Sequence, residues 1–112
     1  MTVRGVSVLV LDGEQRSALA VTRSLVRAGY AVTVTAHRAW SLAGAARNAR
    51  AQLVRADPLT DARRYAEEIG AVARAVRAAL VIPVTDASAG AVLAHRDALP
   101  EDCALPFADE AV

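Results

Sequence analysis

The first third of the chain constrains the fold more than any other part of the sequence. Val6–Leu11 is an apolar run that is too short for a helix and ends at the turn residues Asp12 and Gly13. Because both faces of this run are apolar, it suits a strand that is covered by helices on both sides. Apolar residues then recur at helical spacing as far as Gly29, and a second strand begins at 32–34. This order predicts a βαβ unit, in which the two strands are parallel.

The rest of the chain continues the alternation of strands and helices. The predicted elements are a loop at His37–Ser41, a short helix or turn at Leu42–Arg47, a third strand at Gln52–Arg55, a long helix at Asp61–Ala79, a fourth strand at Leu80–Val84, a short helix at Ala89–His95 and a candidate fifth strand at Cys103–Phe107. The predicted fold class is α/β. We expect a small Rossmann-like, three-layer domain whose mostly parallel sheet has four or five strands in the order 3-2-1-4.

Composition excludes several classes of protein. The chain of 112 residues has the size of one domain, and its formal net charge of +1 comes from interspersed arginine and acidic residues. A nucleic-acid partner is therefore not expected, since such binding needs a clustered basic face. The chain contains no lysine, which removes the Walker lysine and Schiff-base chemistry. One cysteine fits a cytoplasmic location, and no apolar run is long enough for a membrane span.

From Val6 to Phe107, the chain resembles the amino-terminal domain of bacterial ATP-grasp proteins. The resemblance rests on three segments in order, VLVLDGEQRSALAVTRSLVRAGYAVTVTA, SLAGAAR and VIPVTDAS. It implies that residues 1–107 form this Rossmann-like domain and that 108–112 begin a linker to downstream domains absent from this chain. In the full-length protein those domains would hold ATP and Mg²⁺ and ligate a carboxylate to an amine or a thiol.

The turn after the first strand supplies the first group of candidate substrate-binding residues. They are Asp12, Gly13, Glu14, Gln15 and Arg16. The amino end of the first helix has unpaired N–H groups and a positive dipole, so a carboxylate or phosphate could bind there with Arg16 as its counter-ion. In the alternative interpretation, Asp12 or Ser17 only caps the helix. The turn lacks the G-x-G-x-x-G pattern of dinucleotide sites.

The turn after the fourth strand supplies the second group, Thr85, Asp86 and Ser88. If strands one and four are neighbours, both turns lie at the same edge of the sheet. The simpler interpretation is that Asp86 caps a helix beginning at Ala87.

Other kinds of site have less support. His37 and His95 are far apart in sequence, so no metal site is expected, and Cys103 is expected to be packed rather than nucleophilic. We expect Trp40, which follows the second strand, to pack on the sheet edge. A phospho-acceptor receiver domain is disfavoured for two reasons. Pro58 directly follows Asp57, the candidate acceptor, and the lysine that such domains require is missing.

The resulting hypothesis is a domain that is non-catalytic alone and helps form the substrate cleft of an ATP-grasp ligase. We expect no cofactor in this chain, no tight binding of ATP, and three kinds of partner: the downstream ATP-grasp domains, a small carboxylate or amine substrate, and a second copy in a homodimer. The alternative is a free-standing Rossmann-like module that binds a small anionic ligand or a protein.

Overall fold

The computed structural model describes residues 5–38 and 40–106. The elements in chain order are β1 (Ser7–Val10), α1 (Arg16–Arg27), β2 (Ala31–Ala36), β3 (Arg50–Leu53), α2 (Ala62–Val76), β4 (Leu80–Ile82), α3 (Asp86–Ala94) and one 3₁₀ turn (Arg96–Ala98). All strand pairs are parallel, and their order in the sheet is β3-β2-β1-β4. The predicted α/β class, the Rossmann-like architecture and the strand order are therefore confirmed.

The alternation of side chains along β1 divides the core into two layers. Val8 and Val10 contact the cluster beneath α1, whereas Leu9 and Leu11 belong to the cluster beneath α2 and α3. All four side chains are at most 1% exposed. A strand that is apolar on both faces is thus covered on both faces, as expected for a parallel sheet between helices.

Gly29 ends α1 as the sequence predicts. Its φ of +100° lies in the left-handed region, which glycine enters without a steric penalty. The N–H of Gly29 donates to the carbonyl of Val26 at 3.0 Å, and the N–H of Tyr30 donates to the carbonyl of Leu25 at 3.1 Å. These bonds satisfy carbonyl groups at the end of the helix and turn the chain directly into β2.

Several predicted boundaries differ from the structure, including the end of the fourth strand, which is Ile82 rather than Val84. The third strand is Arg50–Leu53 rather than Gln52–Arg55, and its four residues are all exposed, so no burial pattern marks it in the sequence. The long helix ends at Val76 instead of Ala79, because Arg77 adopts a left-handed φ of 54°. The last helix begins at Asp86 instead of Ala89. Residues 42–45 form turns, which is one of the two forms predicted for that segment.

The candidate fifth strand is reduced to one bridge among the described residues. Ala104 pairs in parallel with Leu80, and its N–H and carbonyl bond to the backbone on the free edge of β4. Cys103 beside it is fully buried, so its predicted packing role is confirmed. Phe107, the predicted end of this strand, lies outside the described residues. Within 5–38 and 40–106, no helix has the length and apolar character of a membrane span.

Candidate substrate-binding site

The two predicted turns lie next to each other at the carboxyl edge of the sheet. β1 and β4 are hydrogen-bonded neighbours, with Val10 opposite Ile82. The N–H of Leu11 extends this pairing by donating to the carbonyl of Ile82 at 3.0 Å. The chain therefore leaves both strands at the same point, where open α/β sheets bind their ligands.

Asp12 joins the two turns through its carboxylate. The carboxylate accepts hydrogen bonds from the backbone N–H groups of Val84 at 2.9 Å and Thr85 at 3.0 Å. It also accepts from the hydroxyl groups of Thr85 at 3.2 Å and Ser88 at 2.5 Å. A charged acceptor that receives several bonds in a half-buried position holds its donors firmly. Asp12 thus fixes the loop after β4 relative to the loop after β1, and its direct contact with a substrate stays a prediction.

The conformation of the first turn depends on Asp12 and Gly13 for different reasons. Asp12 has a left-handed φ of 61°, which aspartate tolerates better than most residues with a Cβ atom. Gly13 is needed for space, since a Cβ atom there would lie 2.8 Å from Val34 Cγ1 and 2.9 Å from Ser41 Oγ. Its N–H also donates to the carbonyl of Thr35 at 2.8 Å. Gly13 therefore packs the turn against the end of β2.

The helix caps at this edge differ from those that the sequence suggests. Thr85, not Asp86, caps α3, and its hydroxyl accepts from the N–H of Ser88 at 3.2 Å. Gln15 occupies the capping position of α1, and its side chain makes no capping hydrogen bond. Neither Asp12 nor Ser17 caps α1. The first turn of α1 also has no acidic side chain to complement its positive end, although Glu14 directly precedes the capping residue.

The remaining predicted site residues differ in accessibility. Glu14, Gln15, Arg16 and Asp86 are exposed, whereas Ser88 is fully buried with its hydroxyl bonded to Asp12. The structure thus separates side chains that can reach a ligand from those that support the turn. A substrate role for each of the eight predicted residues stays a prediction.

A small depression beside the first turn includes a residue that the sequence did not single out as functional. Tyr65 on α2 lines this depression together with Asp12, Glu14 and His37. Burial raises the pKa of the Tyr65 phenol, and the nearby charges of Asp12 and Glu14 raise it further. Gln15, Arg16 and Asp86 do not line this depression. In the sequence, the helical spacing of Tyr65 with Ile69 and Val72 indicates only that its side chain faces the core.

The loop after β2 contributes a backbone contact and an exposed indole. The N–H of His37 donates to Glu14 Oε2 at 2.5 Å, which ties this loop to the first turn. Trp40 is 70% exposed, so the prediction that it packs on the sheet edge is wrong. The turn at 42–45 directs Ala43, rather than the indole, into the core beneath α1. The described residues contain no group of three metal-ligating side chains.

Comparison with known proteins gives a likeness in fold. No protein-family model matches the chain, and no curated protein matches it significantly in sequence. A solved structure of glycinamide-RNase-transformylase T from Mycobacterium tuberculosis is similar, with a TM-score of 0.62 and 24% identity over 88% of this chain. The chain spans about a quarter (25%) of the length of that structure's chain. The likeness shows that the same fold occurs in that protein as one part of a longer chain.

Proposed function

We propose that this domain is the amino-terminal domain of an ATP-grasp ligase and that it forms one wall of the cleft for the substrate. The domain carries no catalytic group in this proposal. It binds the carboxylate of an acidic substrate at the amino end of α1, while ATP and Mg²⁺ bind to other domains of the ligase.

The arrangement at the carboxyl edge of the sheet is the observation that carries the proposal. Asp12 holds the loop after β4 against the loop after β1, so the site is preformed before a ligand arrives. Arg16 lies exposed in the first turn of α1, beside N–H groups that no acidic side chain in that turn complements. Preformed donors and a positive helix end favour a carboxylate or a phosphate.

The fold likeness is compatible with this class of enzyme. The transformylase carries this fold as one part of a longer chain, as the proposal requires of this domain. The ATP-grasp class itself is implied by the three sequence segments described above. The absence of lysine from the chain fits a domain that leaves the nucleotide phosphates to its neighbours.

The kinetics of an Arg16→Ala variant in the intact ligase test the proposed contact. The Michaelis constant for the acidic substrate should rise about tenfold or more, because a hydrogen bond to a charged group contributes roughly 1.5–3 kcal/mol. The constant for ATP should stay unchanged, since ATP binds elsewhere. Arg64→Ala is the matched control, because Arg64 is an exposed arginine on α2. An unchanged Michaelis constant for the acidic substrate would mean that Arg16 does not contact that substrate. A changed Michaelis constant for ATP would mean that the ligand at this turn is ATP and not the acidic substrate.

The coding sequence beyond Val112 tests the class of protein independently. ATP-grasp domains encoded there would support the proposal. A stop codon directly after Val112 would reject it and would favour the free-standing binding module.

A further inference from the structure

Basic and acidic residues are unevenly distributed along this chain, although the formal net charge is only +1. No aspartate or glutamate occurs between residues 15 and 56, while seven arginines do: Arg16, Arg23, Arg27, Arg38, Arg47, Arg50 and Arg55. The interspersion of charges that argues against a basic face therefore holds only outside this stretch.

Two adjoining grooves at the amino end of the sheet collect five arginines. Arg23, Arg27 and Arg47 line a groove of about 500 Å³ between α1 and the turn before β3. Arg50 and Arg77 line a groove of about 370 Å³ on the side of α2. Asn48 lines both grooves, so they form one continuous surface, which we call the basic face.

Helix dipoles account for only part of this surface. Arg27 lies in the last turn of α1, and Arg77 caps the end of α2, where a positive charge complements the helix dipole. Arg47 and Arg50 belong to a turn and to the start of an edge strand, so they have no such role. All five arginines are exposed. Among the described residues none of the five forms a salt bridge, although Asp102 lies near Arg77 in a neighbouring groove. Positive charges gathered in one place raise the local concentration of an anionic partner.

We propose that the basic face binds an acidic polypeptide segment in which carboxylate and apolar side chains alternate. The grooves have the matching composition, because valine and alanine lie between the arginines: Val26, Ala45 and Ala46 in one groove, and Val32, Ala75 and Val76 in the other. Arginine forks pair with carboxylates in a bidentate manner. A single-stranded nucleic acid fits less well, since within the described part of the chain no aromatic residue lines either groove for bases to stack on.

Fluorescence anisotropy with two labelled probes tests this proposal. One probe is a short peptide in which glutamate alternates with leucine and alanine, and the other is a mixed-sequence single-stranded RNA. The protein should bind the peptide saturably and more tightly than the RNA, and salt should weaken the binding.

Two triple variants locate the binding. Arg23→Gln, Arg27→Gln and Arg47→Gln together should weaken peptide binding roughly tenfold, since three exposed ion pairs are lost. The control combines Arg55→Gln, Arg63→Gln and Arg64→Gln, which removes the same charge elsewhere and should change the affinity less than about twofold. Circular dichroism verifies that both variants are folded. The proposal is overturned by an absence of saturable peptide binding, by equal effects of the two triple variants, or by tighter binding of the RNA.

Discussion

Replacing Gly70 by alanine should destabilise the domain, although alanine is the better helix former. Gly70 is buried in α2, where it faces the 3₁₀ turn. A Cβ atom at this position would lie 2.0 Å from the carbonyl oxygen of Ala98 and 3.0 Å from its carbonyl carbon. Both atoms belong to the backbone, so no rotamer change can relieve the overlap. The two elements would have to move apart by about 1 Å or more to restore normal contact.

The magnitude follows from three terms of known size. Alanine gains about 0.5–1 kcal/mol of helix stability over glycine. Forcing extra volume into a packed interface costs roughly 1–3 kcal/mol. The displacement also strains the hydrogen bond from Arg74 Nη2 to the same carbonyl of Ala98, which is 3.2 Å long and is worth about 1 kcal/mol or more. The expected net loss is about 1–3 kcal/mol, which lowers the melting temperature of a domain of this size by roughly 5–20 °C.

Gly90 provides a matched control within the same chain. It lies in α3 and is exposed, and in the described part of the chain no atom outside its own stretch of helix lies within 4 Å of a Cβ built there. Gly90→Ala should therefore stabilise the domain by about 0.5–1 kcal/mol through helix propensity alone. Urea unfolding followed by circular dichroism measures both variants. If Gly70→Ala unfolded at the same urea concentration as wild type or at a higher one, the packing argument would be refuted.

Three further predictions concern polar side chains that are buried or half-buried. Thr22 is fully buried, and its hydroxyl has no hydrogen-bond partner in the described part of the chain, so Thr22→Val should raise the free energy of unfolding by about 1 kcal/mol in a urea titration; a loss of stability would contradict this. Asp12→Ala should cost about 2–4 kcal/mol, because four hydrogen bonds are lost and alanine disfavours positive φ; Asp12→Asn keeps the shape and should recover at least about half of that loss, so equal losses in thermal melts would argue against the interpretation. Burial raises the pKa of the Cys103 thiol, so above about pH 8.5 the unfolded state loses this proton while the folded state keeps it. The free energy of unfolding should therefore fall as the pH rises above that value, and it should fall less in Cys103→Ala.

The sheet and its order were predictable because their determinants are local and apolar. The apolar runs that form β1 and β4 are short, consist mainly of valine, leucine and isoleucine, and are bounded by turn residues. Such runs are typical of buried parallel strands. Gly29 marks a helix end by its conformational freedom alone. Right-handed crossovers then leave few arrangements for four such strands.

The incorrect predictions have a common physical origin in contacts that no local pattern records. β3 is an edge strand with four exposed residues, so its register depends on pairing with β2 and not on its own side chains. Trp40 is large and apolar but 70% exposed, because Ala43 fills the core position nearby. Thr85 caps α3 in place of Asp86, since the preceding strand ends early enough for the helix to begin at Asp86.

The sequence singles out Asp12 by its position directly after β1, and in the structure its carboxylate holds the second turn. Its carboxylate is engaged by Val84, Thr85 and Ser88, which follow it by more than seventy positions. A carboxylate with this many internal donors has little capacity left for a ligand. Loss of binding in an Asp12 variant would therefore report the position of the second turn. The exposed Arg16, which makes no comparable set of contacts among the described residues, is the side chain whose removal can report ligand binding without moving the turn.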